Sequence, residues 1–92
     1  MELVIRGSFF RDWDNISSRE LSKAIEKKKN EVKAAKNLSH ISHLKKLRIR
    51  AVWYKIELRL NRRKIYWILC VVSKNRMEFI RVKPEGYFKK NL

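Results

Sequence analysis

Residues 45–72 read KKLRIRAVWYKIELRLNRRKIYWILCVV. From Val52 the stretch alternates: Val52, Tyr54, Ile56, Leu58 and Leu60 share one side, and Trp53, Lys55, Glu57 and Arg59 share the other. A period of two is the mark of a half-buried β-strand. A half-buried strand needs a polar outer face. It does not need nine Lys and Arg against one Glu between residues 45 and 64. That excess cation asks for a purpose beyond solubility.

The pattern continues into two more strands. The expected spans are Val52 to Leu60, Lys64 to Val72 and Met77 to Val82, with turns at Asn61-Arg62 and Ser73-Lys74-Asn75. Connections this short imply antiparallel neighbours. The run IYWILCVV is apolar on both faces, which predicts a central strand.

Upstream, Leu3-Val4-Ile5 reads as a short strand ended by Gly7-Ser8. Ser8 is placed to cap a helical turn whose Phe9, Phe10 and Trp13 form an aromatic stripe directed at the core. Ser17 and Glu20 have capping-box spacing, so a second helix is expected from Ser18 to about Lys36. Its apolar face carries Leu21, Ala24, Ile25, Lys28, Val32 and Ala35, and the run Lys27-Lys28-Lys29 reads mostly as a solvated face. Asn37 to Leu44 reads as a loop or a frayed helix end, and the segment after Val82 has room only for a turn. The expected architecture is α+β in one domain over residues 1–92: an N-terminal strand and a helical hairpin on one face of a twisted antiparallel sheet.

The net charge of +15 is unevenly spread. Residues 1–20 carry −1, so residues 21–92 carry +16. A field of that sign suits a polyanion or an acidic protein as partner. The N-terminal stretch lacks the pattern of a signal peptide, and the longest apolar run is too short to span a bilayer. The lone Cys70, in an apolar run, fits a reducing cytoplasm and a place in the core. Cytoplasmic localisation without membrane association is therefore expected.

Several motifs resemble the RelE/ParE toxin superfamily of bacterial type II toxin–antitoxin systems. Lys46-Leu47 is similar to the family's Lys-Leu pair, and YKIEL (Tyr54 to Leu58) to its tyrosine-led strand. Arg63-Lys64-Ile65 is similar to its Tyr-Arg-Ile position, with Lys64 in the arginine's place. VKPEGY is similar to its last motif, with Lys83 in the arginine's place and Tyr87 matching the tyrosine. The histidine of that last motif is missing, and Glu57 stands where ribosome-dependent members tend to carry a basic residue.

The resemblance implies a RelE-like fold and a metal-independent endoribonuclease that cuts mRNA on the ribosome, held silent by an acidic antitoxin. No cofactor is implied. Lys55, Glu57, Lys64, Lys83 and Tyr87 are then the expected catalytic residues. Lys45, Lys46, Arg48, Arg50, Arg59, Arg62 and Arg63 are the expected RNA contacts. Independently of the family, Lys55 and Arg59 share one strand face and Lys64 lies across a turn, which would bring these cations within a nucleotide's reach. Tyr87 suits stacking on a base or donating a proton. Glu57 suits either balancing a lysine or taking a proton. His40 and His43 have the spacing of one helical turn, but no nearby Cys, Asp or Glu completes a tetrahedral metal site. They read as surface residues or as an acid–base reserve. Two alternatives stay open: a ParE-like inhibitor of DNA gyrase, and a non-catalytic RNA- or DNA-binding module.

Overall fold

The computed structural model describes residues 1–48 and 52–87 of the chain. Its elements run β1 (Glu2–Ile5), α1 (Gly7–Ile16), α2 (Arg19–Ala34), a 3-10 turn (Leu38–His40), β2 (Leu44–Lys46), β3 (Trp53–Arg59), β4 (Ile65–Ser73) and β5 (Arg76–Pro84). Residues 85–87 follow as a helical turn. The expected α+β class holds, with a five-stranded sheet ordered β1-β5-β4-β3-β2.

The alternation of β3 decides which face is covered. Ile56 and Leu58 are buried beside Ile68 and Cys70 of β4 and Met77, Phe79 and Val82 of β5. Phe9 of α1 and Leu21, Ile25 and Val32 of α2 close over them. β4, apolar on both sides, lies in the middle of the sheet as its sequence requires.

Two expectations about the sheet need correction. It is mixed, not antiparallel, because β1 pairs in parallel with β5 from Glu2↔Arg76 to Ile5↔Phe79. The two helices carry the chain from β1 to β2 at the opposite edge, and the antiparallel run from β2 to β5 then brings β5 back beside β1 in the same direction. The segment expected to be a loop ends in a further edge strand, β2, which pairs with β3. Within β5 the alternation is interrupted. Its pairing with β4 shifts between Leu69↔Arg81 and Cys70↔Phe79, leaving Ile80 as an extra residue. Phe79 and Val82 both reach the core although three positions apart, which only such a bulge allows.

The helices differ from expectation in detail. Phe10 is not core: it is 47% exposed and stacks on Trp13. Ser8 does not cap α1; its hydroxyl donates to the Ile80 carbonyl. The cap of α2 is Ser18, whose Oγ accepts from the Leu21 N–H at 3.2 Å. Ser17, the expected cap, instead ends α1 in the left-handed region at φ 49°. Lys28 follows its place on the apolar face and not the solvated reading of the run Lys27-Lys28-Lys29. It is buried, and its Nζ donates to Glu31 Oε2 at 2.7 Å and to the Ser42 carbonyl and hydroxyl at 3.0 Å. That network pins the segment leading into β2 against α2.

The two serines between the helices predict opposite effects. Ser18→Ala removes a side-chain cap and should cost about 1 kcal/mol, lowering Tm by roughly 4–8 °C in a domain of this size. Ser17→Gly relieves a left-handed conformation and should stabilise by about 0.5–1 kcal/mol. Thermal unfolding followed by circular dichroism checks both signs.

Candidate functional site

The sheet face opposite the helices is organised in rows by strand register. One row runs Lys45, Lys55, Leu69, Arg81 across β2 to β5. The next runs Glu57, Trp67, Lys83, and the Glu57 N–H donates to the His43 carbonyl at 3.1 Å on the far side. Adjacent members of a row stand about 4.8 Å apart across the strands.

Rings and cations alternate within this patch. Lys55 Nζ lies 3.4 Å from the centroid of the Trp67 ring, on the diagonal between the rows. Lys83 Nζ lies 5.1 Å from the Tyr87 ring. Arg59 Nη2 stands 3.7 Å from Glu57 Oε2, so the single acid of β3 is shared with a cation of its own strand. Trp53 is half-buried on the same face, opposite Val71.

The bulge in β5 turns Arg81 and Lys83 toward this face. β1 ends opposite Phe79, so the edge of β5 beyond it is covered by α1 instead. There Asp12, only 4% exposed, meets three groups of β5. Its carboxylate accepts from Arg81 Nε at 2.7 Å and Nη2 at 3.1 Å, and from the Val82 N–H at 3.1 Å. Lys83 Nζ is 3.1 Å from Asp12 Oδ1. Burial alone would raise the Asp12 pKa; the hydrogen bonds from Arg81, Lys83 and Val82 outweigh it and hold the carboxyl below its ordinary 3.8. The same contact raises the Arg81 pKa.

The expected site residues divide accordingly. Lys55, Glu57, Lys83 and Tyr87 fall on one patch, with Arg59 and Lys45 beside them. Lys64 does not join them. It is exposed at the end of the β3–β4 turn, five residues along β4 from the partner of Lys55. That is about 17 Å at the rise of a strand, well beyond one nucleotide. Arg62 and Arg63 are exposed in the same turn, which Asn61 closes by accepting from the N–H groups of Arg63 and Lys64 at 2.8 and 2.9 Å. Lys46 pairs with Tyr54 at the sheet edge, and Arg48 is exposed just beyond β2. Arg50 lies outside the described residues.

Both histidines are exposed. His40 Nδ1 accepts from the Lys36 N–H at 3.4 Å, near the end of α2. His43 has φ 61° and lines a cleft of about 290 Å³ with Glu57, Arg59, Lys27 and Glu31. Among the described residues no three His, Cys, Asp or Glu gather into a metal-holding group. Cys70 is fully buried, and burial pushes its thiol up to about 12, so it stays protonated in the core at neutral pH.

Asp12 and Arg81 were not among the expected site residues. Asp12 reads as one more polar position on an amphipathic helix, and its partners lie about seventy positions downstream. One signal was available: Met77 and Phe79 alternate, then Val82 breaks the phase, which announces the bulge that turns Arg81 outward.

No protein-family model, no curated protein and no solved structure matches this chain. Among the described residues no helix is long and apolar enough to cross a membrane.

Asp12 sets a pH expectation. A carboxyl whose folded pKa is depressed contributes stability that is fully present above its unfolded value, near 3.9, and is lost as pH falls through the folded value. Glu31, where burial is again outweighed by bonds from Lys28 and Ser42, is also lowered and acts in the same direction. Denaturation midpoints should therefore fall steeply below about pH 4. Asp12→Asn should start from a lower midpoint at pH 7, by about 2–3 kcal/mol in stability, and show a shallower decline on acidification.

Proposed function

We propose that the open sheet face binds single-stranded RNA and that the chain is the toxin of a toxin–antitoxin pair, cutting mRNA on the ribosome without a metal. The observation that carries the reading is the interleaving of Lys55, Trp67, Lys83 and Tyr87 on one sheet face. Cations track phosphates and rings stack on bases, and a surface that alternates them suits a single strand.

Cleavage would proceed by attack of the 2′-oxygen on phosphorus with departure of the 5′-oxygen, leaving a 2′,3′-cyclic phosphate and a 5′-hydroxyl. Glu57 is the carboxylate on the patch able to take the 2′-proton. Lys55, Lys83 and Arg81 offset the charge that develops on the pentacoordinate phosphate. Tyr87, beside Lys83, stacks on a neighbouring base or donates the proton to the leaving oxygen. Such a site draws its power from placed charge and proton transfer. The +15 net charge and the cationic face also suit an acidic antitoxin that covers the patch until it is released.

One placement favours the gyrase-inhibitor or non-catalytic reading instead: Lys64, the stand-in for a family arginine, lies five residues along β4 from the partner of Lys55. Cleavage of mRNA with and without ribosomes, in chelator, separates the two. Chelator should change nothing. Lys55→Ala and Lys83→Ala should each lower turnover by about 10²–10³-fold, while Lys64→Ala should change it by only a few-fold. RNA affinity should fall steeply with salt, and each lost phosphate contact should reduce that slope by about one. Absence of cutting in both settings, together with inhibition of gyrase supercoiling, would replace the nuclease reading by the gyrase one.

A further inference from the structure

We infer that Asp12 of α1 is a positioning residue for the open-face site, fixing Arg81 and Lys83, and through Lys83 the contact with Tyr87. The catalytic part of this role rests on the RNA-cleavage reading above; the positioning itself rests on geometry alone.

Arg81 and Lys83 stand two residues apart on the same side of β5. Two like charges at that spacing, about 6.7 Å along a strand, repel and would splay their long side chains into solvent. Asp12 prevents this by engaging both heads at once, at 2.7 and 3.1 Å for Arg81 and 3.1 Å for Lys83. The fork of the guanidinium meets both carboxylate oxygens, which fixes its plane as well as its distance. Lys83 is thereby held with its Nζ 5.1 Å from the Tyr87 ring.

Asp12 is itself rigidly placed. Its neighbour Phe9 is fully buried, with its ring 5.3 Å from that of Phe79. Ser8 donates to the Ile80 carbonyl, and Asp12 takes the Val82 N–H. The helix is thus tied to β5 on both sides of Arg81. A carboxylate on a packed helix orients cations on a sheet, as outer-shell groups orient the ligands of a site. The Val82 N–H alone would be satisfied by any polar acceptor; the bidentate contact and the reach to Lys83 are what a backbone cap does not need.

The role predicts a split that a purely structural anchor does not. Loss of the carboxylate adds one unit of positive charge beside the patch, so RNA binding should not weaken. Turnover should fall, because displacement of a reacting group by about 1 Å costs on the order of 10²-fold. Asp12→Asn keeps an acceptor for Val82 and removes the charge. Asp14→Asn removes the same charge from an exposed position of the same helix and serves as control.

Both variants are compared with the wild-type chain at a temperature where all are folded. The expected result is a kcat lower by about 10²-fold for Asp12→Asn with KM equal to or below that of Asp14→Asn. By NMR, the Lys83 side-chain methylene protons should lose their ring-current shift from Tyr87 in Asp12→Asn and keep it in Asp14→Asn. Retention of that shift in Asp12→Asn, or unchanged turnover in an otherwise active protein, would overturn the inference. So would a parallel loss of binding and turnover. If the wild-type chain cuts no RNA, the nuclease reading fails by itself, and the ring-current comparison decides the positioning role.

Discussion

Strand β5 has to bury Met77, Phe79 and Val82 while presenting Arg81 and Lys83 on the other face, and no regular strand can do both. An uninterrupted alternation from Met77 would direct Arg81 and Lys83 at the core, where an unpaired charge costs several kcal/mol. The extra residue at Ile80 reverses the phase and removes the conflict. The same strand runs on past the end of β1, so its edge groups need other partners. α1 provides them through Ser8, Asp12 and the Arg6 backbone, whose N–H donates to the Phe79 carbonyl. The contacts that seal the fold at this edge also place charged side chains on the open face.

The cationic surface is moderated locally more than its net charge suggests. Asp12 faces two cations, Glu57 stands near Arg59, and Lys55 rests on the Trp67 ring. Each arrangement holds a flexible, charged side chain near the sheet. Leu69, paired with Lys55 across the strands, is only 9% exposed although it lies on the uncovered face. A sheet face open to water thus keeps an apolar middle under a charged surface.

The parts of the fold legible in the sequence are those governed by local periodicity. The alternation of Ile56 and Leu58, the doubly apolar run of β4 and the spacing of Leu21, Ile25 and Val32 each reached the core as expected. What escaped depends on distant partners or on too few residues. β2 is three residues long and contains two lysines, so it has no pattern of its own and exists because β3 offers an edge. The parallel pairing of β1 is a property of the path that leads the last strand back beside the first, not of Leu3 or Val4. Spacing puts Lys28 both on the apolar face of α2 and in a basic run, and its partners, Glu31 and Ser42, become visible only once the segment after α2 folds back. Phe10 shares the helical spacing of Phe9 and Trp13, yet α1 turns Phe9 and Asp12 inward and leaves Phe10 47% exposed.

The candidate site was legible to the same depth. Periodicity grouped Lys55, Glu57 and Arg59, because strand neighbours on one face stay neighbours in space. For Lys64 it reached only part way, since the register sets Lys64 beside the Arg59 end of β3 and brings Leu69, not Lys64, opposite Lys55. Register, which depends on turn length and on the phase of both strands, decides which cations meet. For the same reason Lys83 sits opposite Trp67 only because the bulge lies before it. Without that bulge the register would pair Trp67 with Val82 and set Lys83 opposite Tyr66. The geometry of the open face is therefore set less by the number of lysines and arginines in the chain than by one unpaired residue in β5 and the carboxylate that meets the cations beyond it.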